Sequence, residues 1–284
     1  MPEQILGSPM LGAEWLVRLS FLLATLAIMA SAERLAPRRR LTLSRAYRWV
    51  NNGAIVVTGT LASRLVFPAG AVGVALFVEA GGWGLLPLLD LPPWAAVLLA
   101  LVVLDFTVWA QHVMFHAVPV LWRLHRMHHA DLDYDLTTGL RFHPLEILLS
   151  FGIKATVIAA LGAPALAVLI FELLLSSLAL FNHANVRLPI RLDRVLRWLI
   201  VTPDFHRVHH SWYPHETNSN FGFNLSLWDR LLGTYRAQPD DGHEGMTIGL
   251  NQFRDPAWER IDKLLIQPFV GPVHTRDNRD ASSS

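Results

Sequence analysis

The chain has no cysteine in its 284 residues. That excludes disulfides, thiolate metal sites and a cysteine nucleophile, and it leaves histidine and the carboxylates as strong metal ligands. Charge is also scarce. Asp, Glu, Lys and Arg make up 17% of the chain, against about 25% in an ordinary soluble domain. Together with 52% hydrophobic residues and a mean hydropathy of +0.33, this shortage points to a membrane protein. A formal net charge of +1 gives no reason to expect a nucleic-acid partner. HExxH, GxSxG and GxxxxGK are all missing, which removes the usual zinc protease, serine hydrolase and P-loop readings. So is any Glu-x-x-His pair of the kind that soluble di-iron bundles use. The first apolar run has no basic stretch before it, so no cleavable signal peptide is expected.

Apolar runs are plentiful. Residues 15–31 form the first, interrupted only by Arg18, and residues 54–78 the second, with Arg64 inside it. Arg64 reads as snorkelling or paired within a helix bundle. Between these runs stand Arg34, Arg38, Arg39, Arg40, Arg45 and Arg48. By the positive-inside rule that segment is cytoplasmic, and the turn around residues 81–91, which has no basic residue, is outside. It could dock an acidic electron carrier, although anionic lipid suits it better. Residues 94–109 return to the cytoplasmic side. Residues 147–181 are long for one span and short for two, and Gly162-Ala163-Pro164 divides them, which reads as a hairpin that dips in and returns. Trp15, Trp49, Trp83, Trp94, Trp109 and Trp122 bracket the runs as interfacial anchors.

The expected fold is an all-α integral membrane protein. It has about four transmembrane or membrane-dipping segments and a cytoplasmic, histidine-rich helical cap. No internal repeat or linker marks a second domain, so residues 1–276 read as one unit and 277–284 as a frayed tail.

Six histidines crowd residues 105–146: His112, His116, His125, His128, His129 and His143. His112 and His116 are one helical turn apart on one face, and His125, His128 and His129 share a face by their i, i+3, i+4 spacing. The same spacing returns in His206, His209 and His210, and His183 stands between the two boxes. A tetrahedral zinc needs only four ligands. Eight or more clustered imidazoles therefore suggest two metals in an all-histidine site at the cytoplasmic face of the membrane.

The segments LWRLHRMHHAD, TTGLRFHPLE, FNHANV, TPDFHRVHHS and NFGFNLSLWDRLLGTY, in this order, resemble the fatty acid hydroxylase/sterol desaturase superfamily. The resemblance covers most of residues 105–235, which read as the catalytic core. It implies two iron ions, O2 activation, and hydroxylation or desaturation of an unactivated C–H bond in a lipid: sterol-like, fatty acyl or alkylglycerol. Electrons would come from a separate ferredoxin- or cytochrome-type protein, ultimately from NAD(P)H. The metal ligands it implies are His112, His116, His125, His128, His129, His183, His206, His209 and His210. The family's second histidine after His183 is replaced by Arg187, so Asn185 or water stands in for it. His143 is a further ligand or a residue behind the ligands. Asp105, Asp204 and Asp229 suit hydrogen bonding to the far nitrogen of a ligand imidazole, or interfacial and capping roles. His215, His243 and His274 read as ordinary surface or interfacial histidines. A zinc-dependent membrane hydrolase using the same imidazoles to activate water is the competing reading.

Overall fold

The computed structural model describes residues 9–272; His274 and the tail after it lie outside them. Helix α1 (Pro9–Leu35) is followed by α2 (Arg45–Val66), α3 (Gly70–Gly81), α4 (Pro93–Ala117) and α5 (Pro119–His129). Helices α6 (Pro144–Leu161) and α7 (Ala165–Asn182) come next, then the short α8 (Ile190–Leu196), α9 (Pro203–His209), α10 (Leu227–Leu231) and α11 (Ile261–Ile266). No strand is present among the described residues. Helix starts follow local chemistry. Ser44 and Thr202 cap α2 and α9 by accepting from the backbone N–H of Tyr47 and Phe205. Proline opens α4, α5, α6 and α9, where its missing N–H costs nothing.

Five helical stretches are long and apolar enough to cross a membrane: Ala13–Leu35, Arg45–Gly81, Pro93–Ala117, Pro144–Leu161 and Ala165–Asn182. About four were expected. The difference lies in residues 147–181, which form two full-length helices instead of one dipping element. Their turn closes on Gly162 at φ 68°, and a side chain at Gly84 would strike the Gly162 backbone at 2.2 Å, so the loop between α3 and α4 rests directly on this turn. The second apolar run also differs from expectation. Its helix begins nine residues earlier, at Arg45, and breaks around Pro68, which cannot continue the ladder.

Helix α7 is the central post. It packs against α1, α3 and α4, while α6 packs against α2, α3 and α4. Ala71, Val72, Leu104, Val108, Ile158, Val168 and Phe171 fill the core between these helices. The outward faces carry exposed Leu16, Phe21, Leu23 and Ile28 on α1 and Val102 and Phe106 on α4, as lipid contact requires. The intramembrane cation Arg18 bonds Glu14 at 2.7 Å and Glu172 at 2.6 Å. Arg64 is exposed, its guanidinium 3.4 Å from the Pro68 carbonyl. Trp15, Trp83 and Trp94 are exposed, but Trp109 is buried and its indole N–H donates to Asp229 at 3.1 Å. An interfacial anchor it is not.

The arginine-rich segment does not offer a free basic surface. Arg48 is buried and bonds Asp135 at 3.1 Å and Asp131. Arg38 bonds Asp204 and Glu244, Arg39 bonds the carbonyls of His243 and Met246, and Arg45 reaches the Glu33 carbonyl. Arg34 and Arg40 are the exposed remainder. Most of this charge locks the cap onto the helices.

Candidate metal centre

Four elements deliver nine imidazoles to one buried layer. The last turns of α4 carry His112 and His116, and α5 carries His125, His128 and His129. His183 caps the C-terminus of α7, and α9 with its following residue carries His206, His209 and His210. They fall into two groups. His112, His116, His125, His129 and His209 place one ring nitrogen each within 4.8 Å of one another, and so do His128, His183, His206 and His210.

Hydrogen bonds fix which nitrogen faces inward. The Nδ1 of His112 donates to the Phe221 carbonyl at 2.7 Å, and that of His209 to the Ser219 carbonyl at 2.7 Å. His183 Nδ1 donates to the Ala179 carbonyl at 2.9 Å, and His128 Nδ1 lies 3.3 Å from that of Arg141. His125 Nδ1 donates to a carboxylate oxygen of Glu146 at 2.6 Å. With the proton held on Nδ1, each neutral ring presents a bare Nε2 lone pair to the interior. These lone pairs converge. His112 Nε2 is 3.0 Å from the Nε2 of both His125 and His209, and His183 Nε2 is 3.2 Å from that of His128. No proton remains to bridge them. Both ring nitrogens of His206 and of His210 are buried without any hydrogen-bond partner, a costly state for polar atoms. A cation in each group removes the repulsion and gives one nitrogen of His206 and one of His210 a partner, so these residues fit two metal ions.

Electrostatics keep the cluster ready to bind. Burial, then the mutual influence of the rings, holds His128, His129, His206, His209 and His210 well below the ordinary histidine range. Burial pushes His183 down to about 3. Neutral imidazole is the form that ligates.

The other sequence candidates are placed elsewhere. His143 caps α6, its Nδ1 accepting from the Leu145 N–H at 3.2 Å, and belongs to neither group. Asn185 exchanges hydrogen bonds with the Arg39 backbone. Arg187 is exposed and pairs with Glu244. Asp105 accepts from the Trp228 indole at 2.7 Å and touches no imidazole, and Asp204 is held by Arg38 and Arg207. Asp229 acts at one remove: it accepts the Phe221 and Gly222 N–H groups at 2.8 and 2.6 Å, positioning the carbonyl that holds His112. His215 is partly exposed beside Asp240, whereas His243, expected near the surface, is buried. Glu146 was not anticipated from the sequence. Its only signal was position, one turn into a helix that begins at the matched RFHP segment.

A cavity of about 420 Å³ leads away from the histidines between the spanning helices. Ile55, Val108, Phe151 and Leu175 line its apolar length. Its inner end is closed by groups that touch the site. Phe142 stacks on His128 with ring centroids 4.5 Å apart, Glu146 holds His125, and Phe223 lies beside His206.

A family model for fatty acid hydroxylases matches residues 97–234. Ornithine lipid hydroxylase OlsE of Rhizobium tropici is 30% identical over 230 residues, covering 76% of this chain and 66% of that protein. Alkylglycerol monooxygenase of Xenopus tropicalis is 32% identical over 209 residues, covering 72% of this chain and 45% of its own length. Cholesterol 25-hydroxylase of Rattus norvegicus is 27% identical over 171 residues, with 55% and 56% covered. The chain thus spans between about half and just under two thirds of the length of these relatives. No solved structure matches it. The nine-histidine layer, the apolar helices around it and these relatives agree, and the chain belongs to the fatty acid hydroxylase/sterol desaturase superfamily.

Proposed function

We propose that this protein is an O2-dependent oxidoreductase that hydroxylates or desaturates an unactivated C–H bond of a membrane lipid, with the nine histidines holding two iron ions on the cytoplasmic side. The observation that carries this reading is a mostly apolar cavity, about 420 Å³, whose wall residues Phe142, Glu146 and Phe223 contact the two converging groups of five and four imidazoles. Its size falls in the range of roughly 300–1,000 Å³ typical of small-molecule sites. Relatives named as lipid hydroxylases and monooxygenases favour oxidation over a zinc hydrolase.

Two irons bound there would supply O2 activation and oxidation of the C–H bond, with electrons from a separate ferredoxin- or cytochrome-type donor. The chain's own residues do the rest. Ile55, Val108, Phe151 and Leu175 bind a lipid chain by burying it, and Phe142 and Phe223 orient it against the histidine layer. The same aromatic rings exclude water from the reacting carbon. Glu146 and the Phe221, Ser219 and Ala179 carbonyls hold the Nδ1 protons of His125, His112, His209 and His183, which keeps those four rings turned inward.

His128→Ala and His209→Ala, one from each group, test this. Each is expected to lower iron content and abolish O2-dependent lipid turnover while the protein still inserts into membranes. Arg187→Ala should leave the iron content unchanged, and His183→Ala should lower it. Full activity of either box variant, or turnover without O2, would overturn the assignment. Lipid profiles of a deletion strain against its complement would identify the substrate.

A further inference from the structure

The segment between His183 and the end of α10 carries an apolar surface that the proposed chemistry does not use. Val195, Trp198, Leu199, Leu231 and Leu232 are all more than half exposed, with Trp198 at 67% and Val195 at 69%. They form one patch. Ser226 N–H donates to the Leu199 carbonyl at 3.1 Å, Ile200 bridges to Leu225, and the Arg230 guanidinium lies 4.4 Å from the Trp198 ring centroid. Helix α8 reads IRLDRVL, and its one acid, Asp193, points inward to Arg197 and Thr202. Outward it shows Ile190, Leu192 and Val195 interleaved with Arg191 and Arg194. Neither of these two arginines makes an ion pair among the described residues. The outer face is therefore apolar with exclusively positive charge, the pattern of an in-plane interfacial element.

Depth decides what covers it. The Trp228 indole, on α10, bonds Asp105 and packs edge-on against Phe106 at 5.0 Å. Phe106 lies about 20 Å along α4 from Pro93, still within the roughly 30 Å of hydrocarbon that a spanning helix crosses. Phe106 and Val102 face outward from α4, so the patch continues a lipid-facing surface sideways. We propose that α8, Trp198–Leu199 and α10 form a shelf lying in the cytoplasmic-side interface of the bilayer. Its apolar residues enter the acyl region, and Arg191 and Arg194 reach anionic lipid headgroups. The occupant is the lipid surface. Because α8 and α10 hold the segment that enters α9 through the Asp193–Thr202 and Ile200–Leu225 contacts, this shelf would set the height of the third histidine box above the membrane.

The cysteine-free chain allows a direct test. Val195→Cys, Leu231→Cys and, as a water-exposed reference, Asp262→Cys are labelled with a nitroxide. The full-length protein is then reconstituted in vesicles of phosphatidylcholine and phosphatidylglycerol in equal amounts. Power saturation should show positions 195 and 231 relaxed by O2 more than by a water-soluble nickel chelate, with position 262 the reverse. Adding Arg191→Gln and Arg194→Gln should move position 195 toward the chelate in these vesicles but not in pure phosphatidylcholine. Chelate-dominated relaxation at 195 and 231 would overturn the shelf, as would shielding from both reagents, the sign of a second protein copy. An unchanged depth in the double arginine variant would overturn the anionic-lipid contact.

Discussion

Glu146 and Asp105 are both buried carboxylates close to the histidine layer, yet their partners differ and so should their variants. Glu146 accepts the His125 Nδ1 proton at 2.6 Å, and its second oxygen is buried without a partner on the cavity wall. Outer partners of this kind are worth about 10–100-fold in metal affinity. Glu146→Ala should therefore lose iron to a chelator at correspondingly lower concentration, while Asp105→Asn, which sees Trp228 instead, should retain it. His243 makes a second prediction. Burial pushes its pKa down to about 3, below the ordinary value of about 6.5 that it regains on unfolding. The unfolded chain then binds a proton that the folded chain refuses, so stability is lost as pH falls below 6.5 toward 3. By linkage this amounts to about 2 kcal/mol between pH 6.5 and pH 5. His243→Gln should flatten that limb of the melting temperature against pH, and an unchanged slope would show that other groups dominate. Among single residues the sequence was informative where spacing carries meaning. His112 and His116, or the two HxxHH boxes, stand out because helical geometry converts their spacing into one face. Glu146 did not, because only packing of α6 brings it to a histidine 21 residues earlier in the chain.

Helix α5 carries three of the nine imidazoles, and what holds it is a buried ionic network rather than apolar packing alone. Arg48 of α2 bonds Asp131 and Asp135 just beyond α5, Thr138 donates to Asp131 at 2.8 Å, and Arg141 pairs with Glu259. All are buried. Removing one member of such a network leaves a bare charge and costs about 3–5 kcal/mol. Arg48→Met should lower the melting temperature in detergent sharply and loosen iron retention, whereas Arg40→Met, at an exposed position, should do neither. From the sequence alone Arg48 looked like one more cytoplasmic cation. Its acidic partners are more than eighty residues away, so the clustering of basic residues was legible and the internal pairing was not. Trp109 misled in the same way: aromatic at the end of an apolar run, yet buried against Asp229.

For the whole molecule, apolar runs and the Gly162-Ala163-Pro164 break marked most of the spanning helices, because burial in lipid demands long uninterrupted hydrophobic stretches. The extra span followed from counting. Eighteen residues each in α6 and α7 are enough to cross, and a run length near the limit does not distinguish a dip from two crossings. Topology is testable with single cysteines at exposed positions. Asp262→Cys should react with a membrane-impermeant maleimide only from the cytoplasmic side, and Asp90→Cys only from the outside; the opposite pattern would invert the orientation.

The convergence of four separate elements on one imidazole layer has a consequence for the protein's durability. Metal ions bound there would tie residues 112 to 210 together at the points where their rings meet, much as disulfides staple small secreted domains. In a chain without cysteine, metal ions would be the only cross-links of that strength. Such ties are indifferent to reductants and are undone by chelators. The supply of metal in the cell, rather than its redox poise, would then govern how long each copy of the protein survives its proteases.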